Sequence, residues 1–106
     1  MSNNNQKVIV AGGGIGGLAV ALGLAELGLQ IVLIERAPEF TEIGAGIQLG
    51  PNAFAALDAL GAGEAARARA VYTDHIIMKD AVDAKTIVEF ETSEPFRERF
   101  GNPYGV

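Results

Sequence analysis

The sequence predicts an α/β fold that begins with a βαβ unit and continues with short helices and a β-hairpin. Two apolar runs rich in Val and Ile, residues 7–11 and 29–35, are typical of buried parallel strands. Between them the apolar residues recur with a helical period, so strand, helix and strand follow within about 30 residues. Two further strand-like runs, residues 74–80 and 85–91, are separated by the short segment AVDA and predict the hairpin.

The helix of the βαβ unit is predicted to begin at Ile15. From Ile15 to Leu22 the apolar residues follow the i, i+3, i+4, i+7 spacing of one helix face. Gly28 then stands where a helix commonly ends. Because the two strands are expected to be parallel, the connection between them should be a right-handed crossover.

After the second strand, residues 40–52 are predicted to form a loop that contains three more glycines. Pro51 suits the first turn of a helix over residues 51–60, and Gly61 follows its end. Residues 63–70 continue as another short helix, and residues 92–106 are predicted to be a loop that leads into a new strand.

Two arginines of the second short helix, Arg67 and Arg69, are interpreted as a solvated face rather than an anion site. The only histidine, His75, is predicted to lie on a strand face and is assigned no role, since one histidine cannot build a multi-histidine metal site. No metal site is predicted. The sequence also contains no cysteine, which excludes disulfides, thiolate zinc sites and iron–sulfur clusters.

Composition indicates a small, soluble protein of 106 residues, 49% of them hydrophobic, with a net charge of −5. The acidic balance and the absence of a Lys/Arg cluster argue against a nucleic-acid partner. Residues 1–7 are read as a disordered polar tail and not as a signal peptide. Glycines, Glu26 and Gln30 interrupt the apolar stretch that follows, so we expect no membrane span and a cytoplasmic location.

The segment VIVAGGGIGG carries the sequence's clearest chemical pattern. Gly12, Gly14 and Gly17 form G-x-G-x-x-G between the first strand and the first helix, the context of a Rossmann-like dinucleotide site. Gly12 would allow the tight turn, Gly14 would let a pyrophosphate approach the backbone, and Gly17 would let the helix pack closely. The N–H groups at the helix N-terminus would then face the phosphates.

Glu35 stands at the end of the second strand, where a carboxylate can accept hydrogen bonds from both hydroxyls of an adenosine ribose. It would also repel a 2′-phosphate, which disfavours NADP at this site. These residues leave FAD and NAD both open, because each cofactor presents an ADP half to them.

The second glycine loop, EIGAGIQLGPN, favours FAD, whose ribityl chain and flavin ring would use a second backbone-rich surface. The alternative is a flexible linker. The interleaved apolar residues Ile43, Ile47 and Leu49 favour a loop that packs.

Over these residues the chain resembles the single-component flavin-dependent aromatic hydroxylases, in the branch of salicylate hydroxylase and 3-hydroxybenzoate 6-hydroxylase. The resemblance covers nearly the whole chain and is strongest over residues 8–61. It implies FAD with its pyrophosphate over the first glycine turn, its ribose at Glu35, its adenine beside Arg36 and its flavin end near residues 44–48. The implied cofactor-binding residues are Gly12, Gly14, Ile15, Gly16, Gly17, Glu35, Arg36, Gly46 and Gln48.

The resemblance also implies an activity: NADH-dependent hydroxylation of a small aromatic acid with O2, most specifically of 3-hydroxybenzoate to 2,5-dihydroxybenzoate (gentisate). It implies that residues 8–106 are the N-terminal part of a larger FAD/NAD(P)-binding fold, truncated before the substrate domain. We therefore name no catalytic residue and predict no oligomeric state. Two alternatives stay open: a fragment of an NAD-binding Rossmann dehydrogenase, and a module that alone binds only an ADP moiety and catalyses nothing.

Overall fold

The structure is a computed structural model that describes residues 7–41, 44 and 46–106. It divides into two compact units, residues 1–44 and 45–106. The predicted tail therefore lies outside the described residues, apart from Lys7, which begins the first strand. Ile43, one of the apolar residues predicted to pack the second glycine loop, also lies outside them.

The first unit is the predicted βαβ unit. Its elements are β1 (Lys7–Ala11), α1 (Ile15–Glu26) and β2 (Gln30–Ile34). The strands pair in parallel, from Lys7 opposite Gln30 to Ala11 opposite Ile34. Parallel pairing brings the carboxyl ends of both strands to one edge, where the glycine turn and Glu35 follow them.

Glycine marks both ends of α1. Gly14 occupies the N-cap in an extended conformation, with no side-chain hydrogen bond to the first turn. At the other end Gly28 adopts a φ of +77°, which a residue with a Cβ adopts at a cost. The N–H groups of Gly28 and Leu29 then donate to the carbonyls of Ala25 and Leu24, which ends the helix as predicted.

The second unit contains three short helices and the predicted hairpin. Its elements in chain order are α2 (Pro51–Ala59), α3 (Gly63–Arg67), β3 (His75–Lys79), β4 (Thr86–Glu91) and α4 (Glu94–Phe100). Strands β3 and β4 pair antiparallel, with a register shift near Met78. The prediction of α2 and of the hairpin is confirmed, whereas α3 is shorter than the helix predicted over residues 63–70.

Helix α4 corrects the prediction that residues 92–106 form a loop. Ser93 is its N-cap, a proline lies in its first turn, and the rings of Phe96 and Phe100, one turn apart, have centroids 4.6 Å apart. Gly101, with a φ of +74°, ends it. The strand expected beyond is reduced to two isolated bridges, from Gly105 to Leu49 and to Tyr72.

Phe54 on α2 is fully buried in the second unit, as is Thr92. The guanidinium of Arg67 lies over the Phe54 ring, 5.2 Å from the centroid. The same guanidinium donates to both carboxylate oxygens of Asp58 and to Oδ1 of Asn102 at 2.6 Å. The interpretation of Arg67 as a solvated face is therefore wrong, because this side chain links two helices to the segment after α4; Arg69 is exposed, as predicted.

Candidate functional site

The chain turns sharply at Gly12, between β1 and α1. Gly12 has a φ of +107°, a backbone conformation that strains any residue with a side chain. Its N–H donates to the carbonyl of Ile34 at 2.7 Å, so the turn is tied to the end of β2. The turn that the glycine pattern predicts is therefore present.

Gly17 is the point of closest approach between α1 and the turn. A Cβ added at Gly17 would overlap the carbonyl oxygen of Gly12 and lie 3.6 Å from Cγ1 of Val10. Backbone cannot move aside as a flexible side chain can, so only glycine lets the helix lie this close to β1.

The N-terminus of α1 is open. Added Cβ atoms at Gly14 and Gly16 would meet nothing within 4 Å, and both residues are exposed. The first-turn N–H groups, at Ile15, Gly16 and Gly17, have no acceptor within the helix by its geometry, and Gly14 offers no capping side chain. This space and these donors fit a phosphate group at the helix N-terminus.

Glu35 lies at the same edge and accepts hydrogen bonds from two backbone amides. Its Oε2 accepts from Gly13 N–H at 2.6 Å, and its Oε1 accepts from Ala37 N–H at 2.8 Å. The amides of Ala37 and Gly13 hold the pKa of the Glu35 carboxyl below its ordinary value, because they stabilise the charged form. Each carboxylate oxygen has a second lone pair, so the group can still accept from two hydroxyls.

Sequence reasoning missed two residues of this edge, Gly13 and Phe40. Gly13 is buried, and a Cβ there would lie 2.5 Å from Cε1 of Phe40 and 3.0 Å from Oε2 of Glu35. Gly13 occupies a variable position of G-x-G-x-x-G, so the pattern does not select it. The signal that points to Gly13 is that it makes three glycines consecutive, although the motif requires only the first and the last of them.

The remaining predicted residues lie in both units. Arg36 follows Glu35 in the first unit and is exposed. Gly46 and Gln48 belong to the second unit, where Gly46 has a φ of +140° and the Oε1 atom of Gln48 accepts from Tyr104 Oη at 2.7 Å. The structure thus brings together the predicted residues of the first glycine turn and Glu35.

The described part of the chain contains no group of three or more His, Cys, Asp or Glu residues placed to hold a metal ion. No helix within residues 7–41 and 46–106 is long and apolar enough to cross a bilayer. His75 lies on β3, with its Nδ1 3.1 Å from Oε1 of Glu89, so its predicted place on a strand face is confirmed.

A family model described as "FAD binding domain" matches residues 5–100, almost the whole chain. This chain belongs to the FAD-binding domain family. The match agrees with FAD, the cofactor that the resemblance implies.

Relatives of this FAD-binding chain carry more specific names. It is 60% identical to "3-hydroxybenzoate 6-hydroxylase" of Polaromonas naphthalenivorans (strain CJ2), over 100% of the chain and 27% of the relative. It is 52% identical to "3-hydroxybenzoate 6-hydroxylase 1" of Aquipseudomonas alcaligenes, over 100% of the chain and 26% of the relative.

A solved structure has the same fold as the FAD-binding chain: Klebsiella pneumoniae HpxO complexed with FAD and uric acid, with a TM-score of 0.77 and 28% identity. The similarity covers 94% of this chain and 25% of HpxO. The chain therefore spans about a quarter of the length of the proteins it matches.

Proposed function

We propose that this chain is the N-terminal part of an NADH-dependent flavoprotein monooxygenase and forms the ADP-facing part of its FAD site. The carrying observation is the pairing of an open, uncapped α1 N-terminus with the Glu35 carboxylate at the same sheet edge. This pairing suits the pyrophosphate and the adenosine ribose of one cofactor, and membership of the FAD-binding domain family supports FAD.

The proposed residues would bind different parts of FAD. Gly12 and Gly17 shape the turn, and the amides of Ile15 and Gly16 would donate to the pyrophosphate above the open face of Gly14. Glu35 would accept from the ribose hydroxyls, and its charge disfavours a 2′-phosphate. The residues proposed for the adenine and for the ribityl and flavin end are Arg36, Gly46 and Gln48.

The proposed reaction is the hydroxylation of a small aromatic acid with O2, and the best candidate is 3-hydroxybenzoate converted to 2,5-dihydroxybenzoate. The names of the relatives at 60% and 52% identity support this substrate. Bound flavin supplies the redox chemistry, while this chain's residues bind and orient it. We assign no catalytic residue within these 106 residues. The cytoplasmic location stays a prediction from the sequence.

Purification of the full-length protein tests the proposal. We expect a yellow protein that oxidises NADH faster in the presence of 3-hydroxybenzoate and releases 2,5-dihydroxybenzoate, identified by mass spectrometry against the isomeric products. A panel of hydroxybenzoates, each with NADH and with NADPH, tests substrate and donor. A colourless protein that FAD cannot reconstitute would overturn the cofactor assignment. Hydroxylation of a different aromatic acid, with no turnover of 3-hydroxybenzoate, would overturn the substrate assignment.

The variant Gly14→Val tests the place of the pyrophosphate. The space beside Gly14 is open, so valine should fold there but occupy the volume that the phosphates need. We expect FAD affinity to fall by about a hundredfold or more, as for a buried steric conflict of a few kcal/mol. Ala25→Val, at an exposed position near the other end of α1, is the matched control. Equal affinity in both variants would place the pyrophosphate elsewhere.

A further inference from the structure

Gly13 is held from two sides by residues that follow β2. The carboxylate of Glu35 accepts its N–H at 2.6 Å, and the ring edge of Phe40 occupies the space where a Cβ would stand, 2.5 Å from that position. We call this arrangement of Glu35 and Phe40 around Gly13 the Gly13 clamp. It joins the turn after β1 to the segment after β2.

Gly13 and the Phe40 ring that covers it differ in solvent exposure. Gly13 is buried, whereas Phe40 leaves 69% of its surface exposed. A ring so exposed gains little from burial, yet its edge covers the one buried residue of the glycine turn. Its measurable effect should therefore fall on that turn rather than on the core of the unit.

The clamp acts on the peptide groups that shape the proposed phosphate site. Gly12, at a φ of +107°, precedes Gly13, and Gly14, the N-cap of α1, follows it. Three consecutive glycines would sample many backbone conformations if nothing held them. Holding the middle one restricts the flanking dihedral angles, so less conformational freedom remains to be lost when a ligand binds.

We propose that Phe40 is a positioning residue, which together with Glu35 holds Gly13 so that the glycine turn keeps its phosphate-binding shape before the cofactor arrives. This inference rests on the proposed FAD site. It gives Glu35 a second role in addition to binding the ribose. One carboxylate oxygen accepts the hydrogen bond from Gly13 N–H in the turn, and the other accepts from Ala37 N–H.

A double-mutant cycle on the full-length apoprotein tests the clamp, with the FAD dissociation constant measured by flavin fluorescence. Because the added Cβ would strike the ring, we expect Gly13→Ala alone to weaken binding about tenfold, a coupling typical of residues in contact. Phe40→Ala alone should weaken it about threefold to tenfold through lost preorganisation. In the double variant the ring no longer blocks the Cβ, and only Oε2 of Glu35, 3.0 Å from it, remains close, so Gly13→Ala should cost much less than it does in the wild type.

Two control variants make the result decisive. Phe40→Tyr keeps the ring and should bind FAD as the wild type does, and Glu39→Ala, an exposed neighbour, should change nothing. Additive losses in the cycle would mean that Phe40 contacts FAD directly and would overturn the clamp. If Gly13→Ala fails to fold, Phe40→Ala decides alone, and unchanged affinity overturns the proposal.

The failure of this inference and of the proposed function are separable. A wild-type protein that does not bind FAD overturns the proposed function whatever the variants do. A wild-type protein that binds FAD, with an additive cycle, overturns the clamp alone. The melting temperature of each apoprotein provides a second readout, because a purely structural role for Phe40 would lower it without changing the FAD affinity of the folded fraction.

Discussion

Glu35 connects two segments of the chain at the edge of the parallel sheet. Its two oxygens accept amides from the turn before α1 and from the segment after β2. Both amides stabilise the charged form, so the carboxylate stays ionised below its ordinary pKa and keeps lone pairs for hydroxyl donors. The proposed contact with the ribose and the hydrogen bond that holds the turn therefore depend on the same group.

Glu35→Gln should weaken FAD binding and also loosen the turn. Glutamine retains one acceptor oxygen and turns its NH2 group toward the other amide, so one of the two backbone hydrogen bonds is lost along with the charge. We expect about a tenfold loss of FAD affinity, in the range of a charge-assisted hydrogen bond. The apoprotein should also melt a few degrees lower. Fluorescence titration and thermal melts measure both effects, with Glu39→Gln as control, and a variant unchanged in both respects would contradict the assignment.

At the level of residues, the sequence predicted those glycines whose role follows from a fixed spacing. Gly12 and Gly17 are required by the turn and by the packing of α1 on it, as the pattern implies. Gly13 was not predicted because its role depends on Phe40, which lies 27 residues away in sequence (40 − 13) and in no motif. Contacts of that kind arise from the path of the chain after β2.

Helix α1 can lie this close to the turn only because Gly17 has no side chain. Gly17→Ala should lower the stability of the apoprotein by about 1–3 kcal/mol, the usual cost of forcing atoms into a packed contact. Here the added Cβ would overlap the backbone oxygen of Gly12. Gly16→Ala is the control, since its Cβ meets nothing within 4 Å and alanine favours the helix. Equal melting temperatures in the two variants would show that α1 is free to move away from the turn.

The contact between α2 and α3 should depend on pH through Asp58. The hydrogen bond from Arg67 lowers the pKa of the Asp58 carboxyl below its ordinary value of 3.8. A depressed pKa in the folded state stabilises the protein above the ordinary value, and this contribution disappears as pH falls through the folded value. Asp58→Asn should therefore lower the melting temperature at neutral pH and differ less from the wild type at about pH 3. Asp74→Asn, an exposed aspartate, is the control, and a gap that persists in acid would contradict the assignment.

Helix α4 marks the limit of local patterns at the level of elements. Its seven residues include two arginines, two glutamates and a proline, and this composition resembles a loop. The Ser93 N-cap, the proline in the first turn and the spacing of Phe96 and Phe100 are the local signs of a helix. A segment this short is stabilised mainly by its contacts, here including the Arg97 guanidinium, which lies 4.7 Å from the centroid of the Tyr72 ring.

On the scale of the whole molecule, each unit has a small core and much exposed apolar surface. Within the described residues the buried apolar side chains are Val10 in the first unit and Phe54 in the second. Strands β1 and β2 leave Ile9 and Ile34 more than half exposed, although parallel sheets are normally covered on both faces. The chain also spans only about a quarter of the length of its relatives.

We therefore expect the isolated 106-residue chain to melt broadly and to bind a hydrophobic dye, whereas the full-length protein melts cooperatively. If it binds a cofactor at all, its affinities for ADP and FAD should be similar, since the ADP half makes the proposed contacts of the first unit. Circular dichroism, dye fluorescence and calorimetric titration measure these properties. A sharp transition together with FAD binding as tight as that of the full-length protein would contradict both expectations.

The sequence by itself determined the βαβ unit, its glycine turn and the acidic residue at the second strand, because strand and helix periods and glycine spacing are local properties of the chain. It also predicted the hairpin and the end of α1. Only the tertiary structure decided that Gly13 is held by Glu35 and Phe40, that Arg67 joins Asp58 and Asn102, and that residues 94–100 are helical. Those features depend on groups far apart in sequence, whose meeting no local periodicity encodes.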